Sequence, residues 1–210
     1  MANRFATSPF SVKHQRGFTT VALTCFFLLY LPIATLVVYA FNAGSTVGDW
    51  EGVSLRWFRA AWNNDHIVEA TLRSLTIAPI AALIATVTAT MAAVATTRTA
   101  PHRGLALKYG FINQPLMVPE IVTAVALLVV FSRIKVWTGY SGLGYLIAAH
   151  SAFCIPFAYL PIRARLESMD LTLERAAAVL YARPLRVFRR VTLPLMWPGI
   201  LAGFMLAFVV

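Results

Sequence analysis

The sequence predicts an all-α, polytopic membrane protein, and three observations carry that prediction. Of its 210 residues, 59% are hydrophobic and only 12% charged, where a soluble domain carries about 25% charged residues. Five runs reach or approach the roughly 20 apolar residues needed to cross a hydrocarbon core. Lys and Arg cluster on alternate connections between those runs, as the positive-inside rule demands of a membrane chain.

The expected spans are residues 17–41, 71–97, 109–131, 143–162 and 195–210. The first is too long for the apolar core of a signal peptide and has no small-residue cleavage pattern behind it, so it reads as a retained span. Pro32, Pro79, Pro115, Pro119 and Pro156 interrupt several runs. Membrane helices tolerate such prolines because neighbours satisfy the freed carbonyls, usually with a kink. The fifth run, from Leu195 to Val210, reaches about 24 Å as a helix, short of the roughly 30 Å of a hydrocarbon core. It is therefore expected to be an incomplete span, from a fragment of a longer protein or a truncated gene.

Placing residues 1–16 in the cytosol puts Arg4, Lys13, Arg16, Arg98, Arg103, Lys108, Arg163, Arg165, Arg175, Arg183, Arg186, Arg189 and Arg190 inside. Only Arg56, Arg59, Arg133 and Lys135 then fall outside, with Arg73 near a span end. This bias predicts a cytosolic N-terminus. It also explains the net charge of +10 by topology, which removes nucleic acid as a partner. The outer loop 42–70 holds Trp50, Trp57 and Trp62, and Leu55–Trp62 has the spacing of a helix lying along the outer interface.

Enzymatic chemistry finds no support. Cys25 and Cys154 both lie in apolar runs and read as small buried hydrophobes. The four histidines are scattered, H-E-x-x-H is absent, and no metal or other cofactor is implied. No G-x-x-x-x-G-K-[ST] loop is present, so the chain is not expected to hydrolyse ATP alone.

The cytosolic loop 163–194 carries the functional signal. Leu173, Ala176, Ala177 and Leu180 recur with the period of one helix face. Pro184 suits the first turn of a second helix. Leu185, Phe188 and Val191 continue an apolar stripe, with Arg183, Arg186 and Arg190 on another face. Such a pattern fits an anionic lipid surface or a partner's groove, and a positive-inside loop without any partner is also compatible.

Arg175-Ala176-Ala177, then Pro184 through Pro194 with Val191-Thr192-Leu193-Pro194, then Trp197-Pro198-Gly199-Ile200, resemble the EAA loop of ABC-importer permeases. Counted back from Pro194, the family's two alanines fall on Ala176 and Ala177, its glutamate on Arg175 with Glu174 one place early, and its glycine on Tyr181. Phe41-Asn42, Trp50, Trp57, Asn63-Asn64-Asp65, Ser74-Leu75-Thr76, Pro119-Glu120 and residues 150–157 follow the order seen in the spermidine/putrescine importer permeases. The resemblance implies a type I (MetI-like) bundle in the bacterial inner membrane. It implies partnership with a second permease, ABC ATPase subunits and a periplasmic solute-binding protein, with a polyamine as substrate. It assigns ATPase coupling to Glu174, Ala176, Ala177, Leu185, Phe188, Arg190, Leu193 and Pro194.

Glu120 follows Pro119 near the middle of the third expected span. A carboxylate at that depth costs several kcal/mol unless paired or hydrated, which marks it for a function. A pathway contact for a polycation is one reading; a carboxylate at a helix N-terminus restarted after Pro119 is the other. Trp57 offers a π face to an amine, or an interfacial anchor. Asp65 and Glu69 either steer cations or are solvated loop charges, and His150 reads as a helix-contact residue. The rival functions are an inactive truncated remnant or non-transporting interaction subunit, a permease for another small solute, and an ion-coupled carrier. The last would want inverted repeats and several midplane ionisable groups, whereas only Glu120 is deep.

Overall fold

The computed structural model describes residues 17–46, 48–99 and 104–210. The expected cytosolic tail 1–16, with Arg4, Lys13 and Arg16, and the expected cytosolic Arg103 lie outside the described residues. The chain divides into two units, Met1–Ala70 and Thr71–Val210.

The first unit begins with α1 (Phe18–Tyr39), an apolar helix that buries no residue. It ends where Asn42, only 2% exposed, ties a short reversal together. The Asn42 side chain accepts from the Gly44 and Glu51 backbone N–H groups at 3.2 and 2.9 Å and donates to the Asp49 carbonyl at 2.6 Å. An isolated antiparallel bridge pairs Asn42 with Val53. Helix α2 (Arg56–Trp62) follows, and Phe58 packs on Phe41 with ring centroids 5.2 Å apart.

Helix α3 (Asp65–Thr97) starts in the first unit and runs through the second. It begins earlier than the apolar run because the Asn64 carboxamide oxygen accepts the His66 and Ile67 backbone N–H groups at 3.1 and 3.3 Å, an N-cap for donors with no partner inside the helix. Asp65 and Glu69 accordingly lie in the first turns of α3 rather than in the loop.

The second unit also holds α4 (Leu105–Met117), α5 (Glu120–Thr138), α6 (Gly144–Ser168), α7 (Thr172–Val179), α8 (Pro184–Val187) and α9 (Leu193–Val209). The apolar run 109–131 is two helices. Val118 is extended at φ −94°, ψ 133°, because a following proline disfavours the helical region for the residue before it. Helix α5 then continues past the run to Gly139, which closes it at φ 70°, a left-handed cap that suits glycine. Arg133 and Lys135, expected in an outer loop, therefore belong to the last turns of α5.

The core gathers a small-residue face of α3 (Ala82, Ala85, Ala89, Ala93) with Tyr159, Ile162 and Leu166 of α6 and Met196 of α9. Tyr159 and Thr96 share a buried hydroxyl hydrogen bond of 2.9 Å. Arg163 of α6 sits 4.1 Å over the Tyr109 ring of α4. The most extensive helix pair is α6 with α9. Gly199, Gly203 and Ala207, spaced one per turn on one face of α9, are buried, and small residues at this spacing let two backbones approach.

Five helices among the described residues are long and apolar enough to cross a membrane: Phe18–Tyr39, Asp65–Thr97, Glu120–Thr138, Gly144–Ser168 and Pro184–Val209. The last is longer than the apolar run that predicted it. Residues 188–192 form a π-helical turn joining α8 to α9 without a break. Pro194 has no N–H to give, so the ladder widens ahead of it, and the Leu193 N–H bonds Phe188 five residues back.

Candidate functional site: the loop 163–194 and the α5–α6 groove

Just ahead of α7, Asp170 accepts both the hydroxyl and the backbone N–H of Thr172, the first residue of the helix. Those hydrogen bonds hold the exposed Asp170 carboxyl below the usual carboxylate range. This stabilisation is present above the unfolded carboxylate pKa and is lost as pH falls through the lower folded value, so α7 keeps it at neutral pH.

The helix ends in a Schellman motif. The Tyr181 N–H donates to the Ala178 carbonyl at 3.0 Å and the Ala182 N–H to the Ala177 carbonyl at 3.2 Å. This motif needs a left-handed residue just after the cap, normally glycine. Tyr181 fills it at φ 56°, the one positive-φ residue other than glycine among the described residues.

Glu174 points inward. One of its oxygens accepts Arg98 Nη2 at 3.1 Å and Nε at 3.3 Å, and the Thr192 hydroxyl at 3.0 Å. Arg98 Nη1 reaches the Leu166 carbonyl at 3.3 Å. In sequence, Arg98 reads only as a positive-inside charge.

The residues assigned to coupling thus fall into two sets. Glu174 is half-buried, Phe188 packs against the core, and Ala177 and Leu193 are half-buried. Ala176, Leu185, Arg190 and Pro194 are exposed. The expected stripe Leu185, Phe188, Val191 is divided: Phe188 and Val191 turn towards the bundle while Leu185 is 68% exposed. Around Leu185 the loop also exposes Leu173, Val179, Leu180 and Tyr181, with exposed Arg175, Arg183, Arg186 and Arg189. An apolar knob with a basic rim is therefore presented outward, held from behind by a charge-assisted network.

Glu120 is the first residue of α5, directly after the Val118–Pro119 break. Its position is that of a carboxylate at a helix N-terminus, where the helix dipole favours negative charge. It also lines a cavity of about 580 Å3 between α5 and the first half of α6, with Lys135, Tyr145 and His150. Both readings of Glu120 are compatible with this position. His150 Nδ1 lies 3.1 Å from the Leu146 carbonyl of its own helix.

Trp57 lies in the first unit. Its indole N–H donates to the Gly44 carbonyl at 3.1 Å, and it lines a separate cavity of about 380 Å3 with Tyr39 and Phe58. The Arg56 guanidinium lies 5.2 Å from its ring centroid, so an internal cation already sits over the π face expected for an amine. Among the described residues no group of three His, Cys, Asp or Glu could hold a metal ion.

Residues 106–210 match the family described as binding-protein-dependent transport system inner membrane component. The chain is 36% identical over 191 residues to the putrescine transport system permease protein PotI of Escherichia coli (strain K12), covering 90% of this chain and 68% of the relative. It is 34% identical over 180 residues to the spermidine/putrescine transport system permease protein PotC of the same strain, covering 86% and 67%. The PotC protein of Haemophilus influenzae is 34% identical over 182 residues, covering 87% and 69%.

Proposed function

The chain belongs to the family of binding-protein-dependent transport system inner membrane components, and on that premise we propose that it carries polyamines, putrescine or spermidine, across the bilayer. It is the membrane-spanning permease subunit of an ABC importer and not itself an enzyme. Such a component works with ATPase subunits, a solute-binding protein and a second permease. The identity to permeases named for putrescine and spermidine supports the choice of solute.

In this reading the N-terminus is cytosolic, and the knob formed by Leu180, Tyr181 and Leu185 sits in a cleft of the ATPase. The basic rim of Arg175, Arg183, Arg186 and Arg189 favours a cleft with carboxylates at its edge. One observation supports the mechanism above the others: the exposed start of α8 and the apolar helix α9 are one continuous helix, Pro184–Val209. A push on Leu185 is then delivered to the membrane span without a hinge. Nucleotide-driven closure of the ATPase subunits would swing Pro184–Val209, and with it α6, between arrangements that open the pathway to either side. Glu120, at the wall of the α5–α6 groove, supplies the negative charge that an ammonium group needs on leaving water.

The test is reconstitution. The chain, purified together with its second permease and ATPase subunits and given its solute-binding protein, should accumulate labelled putrescine in liposomes only when ATP is present on the ATPase side. Uptake that ignores ATP, or ATP-driven uptake of an unrelated neutral solute with none of putrescine or spermidine, would overturn the proposal.

A further inference from the structure

One carboxylate oxygen of Glu174 is shared by the loop, by α3 and by the π turn, and this arrangement reaches beyond docking. Arg98 lies just past the end of α3, Glu174 in the first turn of α7, Thr192 at the end of the π turn, and Leu166 in the last turn of α6. The Arg98 guanidinium spends two N–H groups on Glu174 and a third on the Leu166 carbonyl, a carbonyl near the helix end where a basic side chain is favoured. Both charged side chains are only 19% exposed. A pair at that depth is less screened than a surface pair, and removing one partner leaves the other charge poorly solvated. Thr192 is buried at 4% exposure. It sits where the extra residue of the π turn has shifted the helix phase, so that its hydroxyl meets Glu174 at 3.0 Å.

The geometry points to Arg98 as the positioning residue that ties the docking loop to the cytosolic end of α3, so that the loop moves together with α3, α6 and the π turn. Arg98 touches neither solute nor nucleotide. The connection is specific to direction. The continuous helix Pro184–Val209 hands motion to α9 by covalent structure, but α3 has no covalent link to the loop within reach. The Arg98–Glu174 pair, 76 residues apart in sequence, supplies that link. Without it, closure of the ATPase would move α9 against α3, and the core cluster that α3, α6 and α9 form together would not move as a unit.

This inference rests on the docking reading, and the experiment separates the two. The importer is purified with its own ATPase subunits and reconstituted, and solute moved per ATP hydrolysed is measured alongside ATPase retention. Arg98→Gln should keep the ATPase subunits bound and hydrolysing while solute per ATP falls about tenfold, the size of a typical coupling between sites. Arg98→Lys, which keeps the charge and one hydrogen bond to Glu174, should recover most of that loss. Thr192→Val, close in shape and far less disruptive, should lower the ratio about threefold, the worth of one hydrogen bond. An unchanged ratio in Arg98→Gln or in Thr192→Val overturns the inference. So does loss of the ATPase subunits in Arg98→Gln and Arg98→Lys alike, which would make Arg98 a brace for the loop and nothing more. A wild-type chain that retains no ATPase is a different result and overturns the docking reading itself.

Discussion

Gly203 of α9 lies against the backbone of Ala158 of α6 so closely that a Cβ at position 203 would stand 2.7 Å from the Ala158 carbonyl oxygen and 3.1 Å from Ile162 Cγ1. Backbone cannot yield to that contact as a flexible side chain could. Overpacking at such a site costs about 1–3 kcal/mol. Gly203→Val should therefore lower the thermal midpoint of the detergent-purified protein. A midpoint equal to wild type would mean that α6 and α9 are not held at this distance.

Tyr181 is expected to be improvable. It adopts φ 56° while 97% exposed, so its ring packs on almost nothing. A left-handed conformation costs a residue with a side chain about 1–2 kcal/mol, and the greater freedom of glycine in the unfolded chain returns about 0.5–1 kcal/mol of that. Tyr181→Gly should thus stabilise the loop slightly, visible as slower amide exchange at Ala182, whose N–H completes the Schellman motif. Faster exchange there would show that the tyrosine ring, not the backbone, holds the turn.

The all-α class and the five apolar helices were legible because both follow from composition and run length. Two boundaries were not. Hydropathy carries 109–131 through as one run and passes over the break between α4 and α5, although Pro119 stood out as an interruption and a helix restarted after it was one of the two readings of Glu120. Pro194 read as the end of the loop, but a π turn absorbs it and the helix runs on, which is a matter of hydrogen-bond register that no periodicity displays. The inward turn of Phe188, the first residue of that π turn, depends on the same register. Arg98 was invisible for another reason: its partner is remote in sequence and its own neighbours look like an ordinary basic span end.

Leu185 and Phe188 should separate docking from folding. Leu185 is exposed, and a charge there leaves the bundle intact, so Leu185→Asp should shift stability by no more than about 0.5 kcal/mol while abolishing retention of the ATPase subunits. Phe188 packs against the core cluster, so Phe188→Asp places a charge where water is scarce and should cost about 2–3 kcal/mol before any effect on docking is read. Paired thermal-shift and co-purification measurements on the two variants decide the matter. ATPase retention by Leu185→Asp would remove the knob from the docking surface.

Glu120 has two roles to choose between, and one substitution distinguishes them. As the first residue of α5 its charge favours the helix start by about 0.3–1 kcal/mol, and Glu120→Gln forfeits that whatever else the residue does. As a groove wall for a cationic solute it contributes an attraction that Gln cannot replace, since an amide carries no charge to offset the ammonium group. The pathway role predicts that Glu120→Gln raises the KM for putrescine uptake about tenfold, an energy of about 1.4 kcal/mol, with ATPase retention unchanged. It also predicts a larger effect for spermidine, which carries one more amine. Wild-type uptake of both solutes with a slightly lowered thermal midpoint would assign Glu120 to the helix start alone, and the negative element of the pathway would then have to lie elsewhere.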